Sequence, residues 1–187
     1  MAPRKTAPVK HVALLRGINV GKAKRIAMAD LRALCEGLGY ENVRTLLNSG
    51  NVVFTAPRAD AQAAAKIERE IERKLGVSSR VIAFTGAELD AIIAENPFTE
   101  CDENPSRFLV MLLAHDLDRA PLRQLAAQRW GPERLGVGTH AVYLWCANGI
   151  LDSAALTALN KVTGDAGTTR NWATMLKLQA LTRESSE

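Results

Sequence analysis

The segment LLRGINVGKAKRI, residues 14–26, has the residue types and spacing best suited to bind a ligand. Basic side chains stand at positions 16, 22, 24 and 25, and two glycines lie among them. Glycine lets neighbouring backbone N–H groups converge on one point, and such nests bind anions, while an arginine can clamp a phosphate or carboxylate with two parallel bonds. The predicted anion site consists of Arg16, Gly17, Asn19, Gly21 and Lys22. The alternative is a glycine-rich connection whose lysines contact only water.

A second cluster lies near the other end of the chain, in the segment TTRNW. Its threonines, Thr168 and Thr169, are predicted to cap the last helix. Arg170 would then stand at the N-terminus of that helix, where the helix dipole disfavours a cation. This placement favours an Arg170 that faces an anion, or else a carboxylate of the same protein. We predict that Thr169, Arg170 and Asn171 bind the ligand, and that Arg16 and Arg170 lie within roughly 15 Å of each other.

Several familiar sites are excluded by spacing. The segment GINVGKA is not a P-loop, because only three residues separate Gly17 from Gly21 and because Ala23, which has no hydroxyl for Mg²⁺, follows Lys22. The chain has neither a G-x-G-x-x-G fingerprint for a dinucleotide nor a G-x-S-x-G elbow for a nucleophile. Ser49, in NSGN, is better explained by turn formation than by catalysis.

The histidines and cysteines also predict no metal site. Histidines at positions 11, 115 and 140 have no partner at metal-ligand spacing, and we expect them at the surface or at strand edges. Cys35 and Cys146 lie in apolar patterns and should be buried packing residues, whereas Cys101 should be exposed. Three widely spaced cysteines are typical of a reduced, cytoplasmic protein. No cofactor is predicted.

These residues are positioned by a predicted β-α-β-β-α-β order in the first half, the ferredoxin-like pattern, and by a similar order in the second half. Thr85 and Glu88 form a capping box, and Asn96-Pro97 ends the helix that it starts. The predicted fold class is α+β, with two ferredoxin-like βαββαβ-type subdomains and an extra C-terminal helix over about 171–181. On that helix, Trp172, Met175, Leu176 and Ala180 should form the buried stripe.

The predicted domain organisation has four parts. A disordered basic tail covers residues 1–9, the N-terminal α+β subdomain covers 10–96, a linker covers 97–106, and the C-terminal α+β subdomain covers 107–187.

Charge in this 187-residue chain is placed unevenly. Seven basic residues and no acidic one precede Asp30, which leaves 17 of the 24 basic residues against all 20 acidic ones, a balance of −3. The basic character therefore belongs to the tail and the first loop, which favours a local anion site over a general nucleic-acid coat. No apolar run reaches the roughly 18 to 20 residues that span a bilayer, and we expect no membrane partner.

Two segments resemble the ends of a bacterial family known as domain of unknown function 1697. They are VALLRGINVGKAKRIAMADLRALCEGLGYENVRTLLNSGNVVF and TTRNWATMLKLQAL. The resemblance covers nearly the whole chain and implies an α+β fold, but it implies no activity, substrate or cofactor. The chain differs from the family pattern at Lys22, where relatives often have a second glycine, and in NGILDSAALTALN, which lacks an expected basic segment.

The sequence leaves three functions open. The first is a binding module for an anionic ligand, either a phosphate-bearing small molecule or a nucleic acid. The second is an enzyme that uses Arg16 and Arg170 as electrostatic stabilisers together with an unidentified base. The third is a protein-interaction domain, and self-association into a homo-oligomer also stays open. An aromatic content of 5% argues against an RNA-binding sheet.

Overall fold

The computed structural model describes residues 7–99, 103–114 and 117–184. Most of the predicted tail, Cys101 and His115 lie outside these ranges. The α+β class is confirmed, with two four-stranded antiparallel sheets. The strands are β1 (Val9–Leu15), β2 (Glu41–Leu46), β3 (Asn51–Ala56), β4 (Val81–Thr85), β5 (Phe108–Leu113), β6 (Arg134–Val137), β7 (Ala141–Trp145) and β8 (Gly167–Asn171). The helices are α1 (Met28–Gly37), α2 (Ala63–Leu75), α3 (Gly86–Ala94), α4 (Ala120–Ala126), α5 (Ala154–Thr163) and α6 (Trp172–Arg183).

The chain divides into two compact units. The first unit contains Met1–Leu89 and Leu178–Glu187, and the second contains Asp90–Lys177. This division differs from the predicted domain boundaries, because it falls inside α3 and α6 rather than in a linker at 97–106. Residues 178–184 therefore belong to the first unit.

The first unit has the predicted β-α-β-β-α-β order, and its strands are arranged β2-β3-β1-β4. Helices α1 and α2 pack on one face of the sheet because their apolar residues recur at helical spacing. Leu31 and Leu34 of α1 and Ile67 and Ile71 of α2 are buried there with Phe54 of β3. Near the end of α2, Arg73 and Lys74 pair with Glu70 of the same helix, and Glu68 accepts the Val81 N–H of β4 over 2.6 Å.

The second unit repeats this order, with strands arranged β6-β7-β5-β8. Leu109 and Met111 of β5 pack against Leu122 of α4 and Leu159 of α5 in its core. The repetition predicted from the sequence therefore holds at the level of topology. It includes one strand, β8, in the segment that was predicted to cap a helix.

Helix α3 starts at the predicted capping box. The Thr85 N–H donates to Glu88 Oε2 over 2.6 Å, and the Glu88 N–H donates back to Thr85 Oγ1 over 3.2 Å. Such reciprocal bonds satisfy backbone donors that the first turn of a helix leaves unpaired. Across the described residues, no helix is both long and apolar enough to cross a membrane.

Candidate functional site

The loop between β1 and α1, residues 16–27, is fixed at its first residue by neighbouring segments of the first unit. The Arg16 N–H donates to the Arg80 carbonyl over 2.8 Å, and the Ser79 hydroxyl donates to the Arg16 carbonyl over 2.9 Å. Leu15, the last residue of β1, donates its N–H to the Gly50 carbonyl over 2.8 Å. The loop therefore leaves the sheet in a defined direction.

Asn19 closes the loop. Its side-chain oxygen accepts the Ile26 N–H over 2.9 Å, and its side-chain nitrogen donates to the Ile26 carbonyl over 2.9 Å and to the Asn48 carbonyl over 2.8 Å. The Asn19 backbone N–H donates to the Lys24 carbonyl over 3.0 Å. Because both amide hydrogens are used inside the protein, the side chain of this predicted ligand-binding residue acts here as a clasp that joins the loop to the β2–β3 turn.

The β2–β3 turn packs closely against the loop at Gly50. This glycine has a φ of 78°, and a Cβ placed on it would lie 2.7 Å from Ile18 Cδ1 and 2.7 Å from Leu15 Cβ. The Asn51 side chain, which is fully buried, donates to the Leu46 carbonyl and to Ser49 Oγ. The segment NSGN thus serves turn formation, as predicted for Ser49, and also gives close contact to the loop.

The tip of the loop presents backbone donors. The backbone angle φ is positive at Gly17, Asn19 and Gly21 but not at Ile18 or Val20, which lie between them. An alternation of this kind is typical of anion-binding nests. The N–H groups of residues 17, 18 and 20–22 donate no hydrogen bond to any described residue. A Cβ placed on Gly17 or Gly21 would meet no atom within 4 Å, so the space beside both glycines is open.

The charges of the tip are exposed. Lys22, Lys24 and Arg25 all have exposed side chains, and Lys24 itself has a positive φ of 52°. Arg16, at the base of the loop, is only partly exposed. The four cations of the opening segment therefore fall into one residue near the sheet and three residues at the tip.

The second predicted cluster is a strand, which corrects the prediction that Thr168 and Thr169 cap the last helix. Both threonines belong to β8, which pairs with β5, and Thr169 lies opposite Met111. The cap of α6 is Asn171, whose side-chain oxygen accepts the Thr174 N–H over 2.9 Å. The prediction failed because the strand GTTRN contains no apolar residue and its threonines resemble helix caps.

Arg170 lies in β8, opposite Val110, and directly precedes Asn171, the cap of α6. It lies on the sheet face away from α4 and α5, because the neighbouring residues of β5 pack against those helices. It is 9% exposed, and burial lowers the pKa of its guanidinium to about 10. The guanidinium donates to the Thr169 carbonyl over 2.8 Å and to Thr168 Oγ1 over 3.2 Å.

The two predicted clusters lie in different units, since residues 16–22 belong to the first and residues 169–171 to the second. The expected proximity of Arg16 and Arg170 stays a prediction. The last helix differs in part from its predicted stripe, because Trp172 and Met175 are buried but Leu176 and Ala180 are exposed.

His11 was expected at the surface or at a strand edge, but it is 2% exposed and structural. Its Nδ1 lies 3.0 Å from the Val9 carbonyl and its Nε2 accepts the Asp60 N–H over 3.0 Å, so both ring nitrogens have partners. Asp60 in turn accepts hydrogen bonds from Tyr40 and Lys66. The burial of His11 could have been predicted from its position on the side of β1 that faces the core.

The cysteines of the described ranges match their predicted packing role. Cys35 and Cys146 are fully buried, and burial raises the pKa of both thiols, that of Cys35 to about 12. A protonated, enclosed thiol is a poor nucleophile. Within the same ranges, no group of three or more His, Cys, Asp or Glu residues could hold a metal ion.

Residues that the sequence did not single out also shape the first unit. Val20 is 73% exposed, and Leu47, in the turn beside the loop, is 51% exposed with a φ of 59°. A bulky residue with positive φ is a backbone outlier, and such a conformation is seen only in the folded structure.

One solved structure with the same fold comes from Streptococcus pneumoniae, where it is described as a conserved bacterial protein. The two chains are 24% identical and superpose with a TM-score of 0.76, over 95% of this chain and all of the other. No curated protein matches the sequence. A family model described as protein of unknown function (DUF1697) matches residues 9–143. This match covers well over half of the chain, which therefore belongs to the DUF1697 family.

Proposed function

We propose that this protein is a binding module for an anionic, phosphate-bearing ligand, held at the tip of the β1–α1 loop. The observation that carries the proposal is the set of backbone N–H groups at residues 17, 18 and 20–22, which donate to no described residue beside two glycines with open space. Hydrogen bonds from backbone N–H groups to a charged oxygen are among the strong ones. The phosphate belongs either to a small molecule, lipids included, or to a nucleic acid.

The charge around the tip supports the same ligand. Lys22, Lys24 and Arg25 are exposed within a few residues of the open N–H groups, and no acidic residue occurs before Asp30. A local excess of one charge raises the local concentration of ligands of the opposite charge. The anchored base of the loop fixes these groups before a ligand arrives, which lowers the entropic cost of binding.

Thermal-shift titration with tripolyphosphate at low salt tests the proposal. A ligand that binds only the folded state stabilises it, and the stabilisation grows with the logarithm of the ratio of ligand concentration to dissociation constant. The melting temperature should therefore rise. The rise should shrink at high salt, because the Debye length falls from about 10 Å at 0.1 M to about 3 Å at 1 M.

Lys22→Ala is the diagnostic variant, because Lys22 is exposed and takes no part in the hydrogen bonds that anchor the loop. We expect several-fold weaker binding without loss of stability. Lys161→Ala, an exposed lysine of α5 in the second unit, is the matched control and should bind as the wild type does. Equal binding by both variants, or no shift in the wild type, would reject the loop as the site.

A single-stranded oligonucleotide separates the two sources of phosphate. If nucleic acid is the ligand, the logarithm of affinity should fall linearly with the logarithm of salt concentration, and Lys22→Ala should reduce the slope by about one contact. The enzyme alternative needs Arg16 and Arg170 in one site, and a distance between labels at the two positions well beyond roughly 15 Å would remove it.

We also propose a cytoplasmic location. It is supported by the two buried cysteines of the described ranges, which form no disulfide with each other. Reduced thiols are the rule in the cytoplasm.

A further inference from the structure

Two aliphatic side chains flank the basic tip. Val20 is 73% exposed and Leu47 is 51% exposed. Val20 follows Asn19 in sequence, and Leu47 precedes Asn48. The Asn19 side chain donates to the Asn48 carbonyl over 2.8 Å. Val20 and Leu47 therefore lie on neighbouring segments of the same end of the first unit. Exposed aliphatic residues that lie on one surface and are surrounded by polar ones indicate an interaction surface.

The surface that these residues share is free of acidic side chains. We define the tip surface as residues 20–25 and 47–49, which include Lys22, Lys24 and Arg25 and are all exposed. Leu47 adds a second indication, because its φ of 59° is unfavourable for leucine. The chain thus holds a half-exposed apolar side chain on a strained backbone, on the same surface as three cations.

We propose that the tip surface docks on an anionic lipid bilayer, with a headgroup phosphate as the ligand of the loop. This proposal rests on the proposed function and specifies its ligand. Lysine and arginine near an anionic bilayer are attracted to it, and aliphatic side chains beside them enter the boundary between headgroups and acyl chains. The open N–H groups of the loop bind the phosphate that lies between these two layers.

The aliphatic pair favours a bilayer over a nucleic acid. Single-stranded nucleic acids bind through aromatic side chains on which bases stack, and the tip surface contains no aromatic residue. A phosphate backbone would use the cations but leave Val20 and Leu47 in water. The sequence-based expectation of no membrane partner depended on the lack of a spanning segment, which a surface-docked protein does not need.

Co-sedimentation with vesicles tests this proposal on the full chain. We expect binding to vesicles of equal parts phosphatidylcholine and phosphatidylglycerol, and none to vesicles of phosphatidylcholine alone. Val20→Ser combined with Leu47→Asn should reduce binding to the anionic vesicles about tenfold or more, because two partly inserted aliphatic side chains are lost. Asparagine tolerates the positive φ at position 47, so this variant should stay folded, and circular dichroism checks that it does.

Leu151→Asn is the matched control. Leu151 is 98% exposed but lies in the second unit, outside the tip surface, and its variant should bind vesicles as the wild type does. Tripolyphosphate binding should persist in the Val20→Ser, Leu47→Asn variant, because that binding needs no aliphatic contact.

Three results would overturn the bilayer proposal: no wild-type binding to anionic vesicles, equal binding to neutral ones, or full binding by the double variant. A wild type that still binds tripolyphosphate in any of these cases leaves the proposed function standing. A wild type that binds an oligonucleotide but not vesicles assigns the tip to nucleic acid instead. Failure of tripolyphosphate and oligonucleotide alike, with the vesicles also unbound, ends both proposals.

Discussion

The two units have the same order of elements and the same strand order, but they differ in the connection after their first strand. In the first unit this connection covers residues 16–27, and in the second only residues 114–119. The first contains four basic residues and no acidic one, whereas the second, AHDLDR, contains two aspartates and one arginine. The second unit shows that the topology forms with a short connection of mixed charge. The length and the charge of the first loop are therefore not requirements of this topology.

The β-hairpins differ in the same way. In the first unit the hairpin turn packs under the loop, with Gly50 against Ile18. In the second unit the turn between β6 and β7 is held by Glu95, which accepts hydrogen bonds from the N–H and the hydroxyl of Thr139. The first hairpin serves as a platform for the basic loop, while the second is tied to the end of α3. Connections are where proteins of one topology place different functions.

Gly50→Ala should have the largest effect on this comparison. A Cβ at Gly50 would collide with Leu15 Cβ, which cannot move aside, at a φ of 78°. We expect a loss of about 3 kcal/mol in the free energy of unfolding, from overpacking and backbone strain together. Chemical denaturation measures the loss, and hydrogen exchange of β1 and β3 locates it.

The control for Gly50→Ala is Gly131→Ala in the second unit. Gly131 also has a positive φ, 64°, but a Cβ there would meet no atom within 4 Å. Only the backbone term remains, and the expected loss is about 1 kcal/mol. Equal losses in the two variants would mean that the loop and the turn do not interlock.

The acid response should be the next largest difference. Burial raises the pKa of Asp60, but hydrogen bonds from Lys66, Tyr40 and the Gln62 N–H lower it by more than burial raises it. The pKa of Asp60 in the folded protein is therefore below its ordinary value of 3.8. The unfolded chain then binds more protons, and the stability contributed by Asp60 is complete above pH 3.8 and lost as the pH falls through the lower folded-state pKa. Asp60→Asn should remove this part of the pH dependence.

Denaturation of wild type and Asp60→Asn as a function of pH checks that expectation. Asp152→Asn, at an exposed aspartate of the second unit, is the matched control and should keep the wild-type profile. If Asp60→Asn loses stability equally at all pH values, Asp60 acts through packing rather than through its charge.

The elements with apolar periodicity could be predicted from the sequence, and those that depend on distant polar contacts could not. The periodic apolar residues of α1 and α2 and the capping box at Thr85 all predicted what the structure contains. The strand β8 was missed because GTTRN has no apolar residue, and its burial depends on pairing with β5, far away in sequence.

The candidate site shows the same limit. The loop that begins at Arg16 could be predicted as a candidate site, because glycines and basic residues indicate anion binding without knowledge of their contacts in the fold. The clasp formed by Asn19 could not be predicted in detail, since its partners at Ile26 and Asn48 are defined only once the hairpin has folded. The exposure of Val20 could not be predicted either, because it depends on whether another segment of the folded chain covers this side chain.

The smallest expected effect compares an exposed leucine in each unit. Leu47 has a φ of 59°, whereas the φ of Leu151 is not positive. Leu47→Asn should raise the free energy of unfolding by about 0.5 to 1 kcal/mol, because asparagine occupies the left-handed region at lower cost than leucine and because Leu47 is already 51% exposed. Leu151→Asn should change it by less than about 0.5 kcal/mol. Parallel urea denaturation of both variants measures the difference. A loss of stability in Leu47→Asn would mean that this leucine packs against the tip loop and contributes to the fold. A gain would mean that the first unit gives up stability to keep an apolar side chain exposed beside its basic loop, which is the pattern of a surface retained for binding.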